Sequence, residues 1–122
     1  MDAELVCVDY LNASNLGATA YYDVPNPRPT SLSPPKSFVV VERTGGHRGE
    51  CGTSVPMLDL QCWSATRRDA ALLAQAVEHA LVDMPASVEN VSGVSITSTF
   101  RDRDLDSGTP RYHVVCQLYS NV

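Results

Sequence analysis

Apolar and polar positions alternate through residues 55–63, VPMLDLQCW, and then recur every three or four residues from 70 to 84. Alternation sends successive side chains to opposite faces of a strand. Leu58, Leu60 and Cys62 therefore share one face, and Met57, Asp59, Gln61 and Trp63 share the other. The aliphatic face is expected to meet the core. Beyond it, Ala70, Leu73, Ala74, Val77, Ala80, Leu81 and Met84 form one stripe at helical spacing, which predicts an amphipathic helix whose small alanines let it lie close to a sheet. Thr66 with Asp69 three residues on predicts the helix start, where the dipole also favours a carboxylate. Pro85 predicts its end. The Ser64-Ala65-Thr66 step between strand and helix is then a corner.

The same reading extends in both directions. Residues 3–14, AELVCVDYLNAS, place apolar positions at helix-like intervals with Asp2 as N-cap and Gly17 as a stop, although Val6–Val8 would also suit a short strand. Five of the eight prolines fall within residues 25–35, so residues 24–36 are expected to form an extended connector. SFVVVER, with its β-branched run, predicts a buried strand, and the four glycines of Thr44–Ser54 predict the tip of a long hairpin. In GVSITSTFR, alternation sets Val94, Ile96, Ser98 and Phe100 against Ser95, Thr97 and Thr99. In RYHVVCQLY it sets Tyr112, Val114, Cys116 and Leu118 against His113, Val115, Gln117 and Tyr119. DRDLDSGTP joins this last pair as a charged hairpin loop. The expected core is Phe38, Val40, Leu58, Leu60, Cys62, Leu73, Val77, Leu81, Ile96, Val114, Cys116 and Leu118. The expected fold is a single α/β (α+β) domain over residues 1–122, with a mostly antiparallel sheet, one main helix and a short N-terminal helix.

Composition narrows the function. A chain of 122 residues with 43% hydrophobic and 19% charged residues suits one globular domain. No apolar run is long enough to span a bilayer, and the acidic start MDAELVCVDY does not read as a secretory signal. The net charge of −5 lacks the basic footprint of a phosphate-backbone binder. Cys7, Cys51, Cys62 and Cys116 show no C-x-x-C spacing, and reduced core thiols are expected at all but Cys51. His47, His79 and His113 share no i, i+4 spacing, so no metal site is expected. The glycine loop matches neither a dinucleotide fingerprint nor a P-loop, and Ser64 sits in no G-x-S-x-G elbow. Neither a cofactor nor a catalytic centre is expected. With so few helices, only one sheet face can be covered. The other, mixing Met57, Trp63, Val115 and Tyr119 with polar residues, is either a solvent surface or a contact surface.

The order of elements resembles that of the tail terminator (tail-completion, head–tail joining) proteins of long-tailed bacteriophages. The resemblance lies in FVVVER, DLQCWSATRRDAALLAQAVEHAL and YHVVCQLYS, over about residues 38–120; the long proline connector departs from the pattern. It implies a structural virion protein, assembled in the host cytoplasm, with a small α/β sandwich fold. A ring, typically a hexamer, would cap the major tail tube protein, stop its polymerisation and receive the connector of the DNA-filled head. DNA would pass through the lumen without specific binding, which an acidic chain suits. A neighbouring neck or connector subunit, or a small ligand-binding α/β domain, are the alternatives. For a subunit or tube interface the candidates are Trp63, Arg67 and Arg68 at the corner, His47, Arg48 and Glu50 in the glycine loop, and Arg101, Asp102, Arg103 and Asp104 in the charged turn.

Overall fold

Asp2 caps the first helix as its position predicts, accepting the Leu5 backbone N–H at 3.0 Å. The computed structural model describes residues 2–26, 36–48 and 53–121. Helix α1 spans Ala3–Asn12 and buries Ala3, Cys7, Val8 and Leu11. It ends ahead of Gly17; Asn15 and Gly17 then turn the chain at positive φ. A short strand, β1 (Thr19–Tyr21), follows, too short for alternation to announce it. Asn12 holds this strand in place, its side chain bonding both the N–H and the C=O of Ala20.

Four strands of 11 residues make up the rest of the sheet: β2 (Phe38–Arg48), β3 (Thr53–Trp63), β4 (Val91–Arg101) and β5 (Arg111–Asn121). The spatial order is β1-β2-β3-β5-β4. Among the described residues only β1 pairs in parallel, with β2; the other strand pairs are antiparallel. The final strand therefore inserts between β3 and β4. Helix α2 (Arg67–Ser87) links those two strands, capped by the Thr66 hydroxyl, which accepts the Asp69 N–H. Pro85 lies inside α2 and does not end it; the helix runs on to Ser87. Residues 24–36 are described only in part, so the expected proline connector falls largely outside the described residues.

The expected glycine tip at residues 44–54 is narrower than its composition suggested. β2 continues through Gly45 and Gly46 to Arg48 after a bulge at Arg43/Gly45, and β3 begins at Thr53. At Gly46 φ is +112°, and a Cβ would sit 2.4 Å from the Val55 carbonyl oxygen, so only glycine fits there. Glycine here allows close pairing.

Both helices pack on one face. Val39, Val41, Leu58, Leu60, Cys62, Val114, Cys116 and Leu118 of the sheet meet Cys7, Leu11, Leu73, Val77, Leu81 and Met84 in one core. Phe38 and Val40 were expected in this core, but alternation makes Val39 and Val41 its members. Phe38 and Val40 are buried with Trp63 in a separate cluster on the other face. A bulge at Ile96/Ser98 corrects a second expectation. Ile96 pairs with Cys116 on the helix face, but Phe100 pairs with His113 on the opposite face. One extra residue moves everything after it across the sheet.

A candidate assembly surface at the corner end of the sheet

The open face is organised around Trp63. Phe38 is its cross-strand partner, and the two rings stack at 5.2 Å between centroids with planes 18° apart. Arg111, the partner on the other side, lays its guanidinium 5.0 Å over the indole. The indole N–H donates to Gln61 Oε1 at 3.2 Å. Trp63 itself is 0% exposed. Only the groups around it reach the surface.

A polar network adjoins this stack. His113 Nδ1 lies 2.9 Å from both carboxylate oxygens of Asp59, and Nε2 lies 3.1 Å from Asp102 Oδ2. An imidazolium donates at both nitrogens, whereas a neutral ring donates at one and faces a carboxylate with a lone pair at the other. Phe100 stacks flat on the His113 ring at 4.9 Å. Arg111 donates to the Asp102 backbone carbonyl and carboxylate at 2.9 and 3.1 Å, and its other nitrogen lies 3.8 Å from Asp104. Asp104, expected as a contact residue in a solvated turn, is instead buried and accepts both the N–H and the hydroxyl of Ser107. The turn is thus closed by its own carboxylate, leaving Leu105 83% exposed at its tip.

Asp59 and His113 are half of an acid–base arrangement, but the nitrogen a base would use is occupied by Asp102. No hydroxyl or thiol is among the described hydrogen-bond partners of His113, so the arrangement offers no nucleophile. Among the described residues no group of three or more His, Cys, Asp or Glu side chains is placed to hold a metal. The thiols of Cys7, Cys62 and Cys116 are buried and free, and burial pushes each upward, Cys116 to about 12. Such thiols are poor nucleophiles near neutral pH. Among the described residues no helix is long and apolar enough to cross a membrane.

The expected contact residues divide between the two ends of the sheet. Arg67 and Arg68 are exposed on the first turn of α2, and Arg101 and Arg103 are exposed beside the β4–β5 turn. These lie at the same end, because the Ser64 N–H donates to Pro110 O at 3.3 Å and ties the corner to the turn. Asp102, half exposed, pairs with Arg111 and His113. His47 and Arg48 lie at the opposite end, in register with Val55 and Ser54; Glu50 falls outside the described residues. Sequence reasoning missed Asp59, Arg111 and His113 as a group. Each sits on the polar side of its strand, but their meeting depends on β5 lying beside β3, which periodicity does not reveal.

This topology defines a two-layer α+β fold, a five-stranded sheet with two helices on one side. The same fold occurs in a chain of a solved structure titled "Virion of native gene transfer agent (GTA) particle", with a TM-score of 0.64 and 17% identity. The match covers 100% of this chain and 89% of that one. No protein-family model matches the sequence, and no curated protein matches it.

Proposed function

We propose that this chain is a structural virion protein, and within that class a tail terminator. Copies would form a ring on the head-proximal end of the tail tube, end its growth and present the surface that receives the head. The observation that carries this reading is the fold likeness to a virion chain over the full length of this one. The open sheet face and the exposed arginines at the corner end give such a ring places to contact neighbours and tube. The net charge of −5 suits a passage through which DNA slides, since fixed basic groups would hold phosphates.

Deleting the gene from a phage that encodes this chain tests the reading. The expected result is tails of irregular, excessive length that carry no heads. Tails of normal length lacking heads would assign the chain to the neck instead. Normal virions would refute a structural role altogether.

A further inference from the structure

The two edges of the sheet carry surfaces of opposite charge, whose positions can be read against one level. A row of paired residues fixes that level: Thr19 with Phe38, Phe38 with Trp63, Trp63 with Arg111, and the next residue, Tyr112, with Arg101. The start of β1 and the base of the β4–β5 turn therefore lie at the same end, on opposite edges, while Tyr22 and the first turn of α1 stand farther along the sheet, where the Arg43 N–H donates to Glu4.

On the turn side stands a basic, apolar projection. Arg101 and Arg103 are exposed and enter no ion pair among the described residues, while Phe100 and Leu105 expose 44% and 83% of their surface. The projection is rigid. Asp104 closes it through Ser107, the Gly108 N–H donates to Asp104 O, and Arg111 braces Asp102. A preorganised loop loses little entropy on docking.

On the α1–β1 side lies an acidic, apolar surface. Leu5 and Tyr22 are 44% and 42% exposed, and Asp9 and Asp23 are exposed beside them. The Tyr22 phenol is shifted upward by loss of hydration and then by Asp2, Asp9 and Glu4. No described ion pair neutralises them.

We infer that the Arg101–Leu105 turn of one copy docks on the α1–β1 surface of a second copy of this chain. Charge of opposite sign and exposed apolar groups on both sides select this occupant. The two surfaces differ and lie on opposite edges, so the contact is head-to-tail and leaves each copy a free half to continue the series. That is the contact a closed ring needs, and the inference rests on the ring reading above.

Two sets of substitutions at exposed positions test it. One carries Arg101→Glu, Arg103→Glu and Leu105→Ser; the other carries Leu5→Ser, Asp9→Lys and Asp23→Lys. By sedimentation velocity with chemical cross-linking, each is expected to remain monomeric where the parent associates. Mixed, the two are expected to give a one-to-one dimer and nothing larger, because each retains one intact half. Leu105→Asp alone is expected to weaken association about tenfold or more, and thermal melts verify that each variant folds. Association of either set at parental strength, a mixture that stays monomeric, or a parent that never associates would overturn the docking. Head-to-tail dimers without binding to tail tubes would defeat the tail reading while supporting the docking; tube capping by both variant sets would do the reverse.

Discussion

Each face of the sheet buries a cluster of its own, but by different means. The helix-covered face excludes water with Val39, Val41, Leu58, Leu60, Val114 and Leu118 against the stripes of α1 and α2. Among the described residues no helix lies above the open face. There Phe38, Trp63 and Arg111 stack across β2, β3 and β5, and the His113 network continues toward β4. Apolar burial on the first face is non-directional and tolerant of repacking. The second relies on register, since its aromatic and charged groups contribute only when the right residues stand opposite each other.

The largest effects should show whether the open face holds a second core. Leu60→Ala is expected to cost about 2–5 kcal/mol and Trp63→Ala about 3–5 kcal/mol; both residues are 0% exposed. Denaturant melts measure both. A Trp63 variant as stable as the parent would mean that the stack is only a surface ornament of the helix-covered core. Next in size is His113→Asn, which leaves two carboxylates facing a group that no longer reaches both; a loss of about 1–3 kcal/mol is expected. An unchanged midpoint would show that the Asp59–His113–Asp102 bonds add nothing beyond the β-ladder.

How far these faces were legible in the sequence follows from the same contrast. Period two and period 3.6 revealed the helix face at Leu58, Leu60, Cys62, Leu73 and Val77, because apolar burial repeats along each element. The choice of Phe38 and Val40 over Val39 and Val41 failed because an unbroken run of four apolar residues carries no alternation to read. Phe100 was misplaced by a bulge invisible in composition. Pro85 was read as a stop, yet the helix continues for two residues beyond it. The open-face network stayed hidden because Asp59 and His113 are 54 residues apart and meet only through the strand order.

A smaller effect separates the faces by pH. Cys116 lies on the helix face with its thiol raised from 9.0 to about 12 by burial. Below pH 9 folded and unfolded chains both keep the proton, so this group gives no pH dependence. As pH rises from 9 toward 12 the unfolded chain loses it first, and stability must fall. Thiol reagents should leave Cys7, Cys62 and Cys116 unmodified at neutral pH until the chain unfolds; ready labelling of the native protein at these positions, mapped by mass spectrometry, would contradict their burial. The least change in stability belongs to Arg67→Ala with Arg68→Ala, within about 0.5 kcal/mol, because both side chains are exposed. Their loss should instead weaken assembly on tubes, and unimpaired assembly would remove the corner from the interface.

Electron microscopy of the purified protein mixed with isolated tail tubes tests the assembly role most directly. The expected result is one added ring at a single end of each tube, with tubes so capped failing to lengthen when fresh tube subunits are supplied. Bare tube ends, or capped and uncapped tubes that lengthen alike, would contradict it.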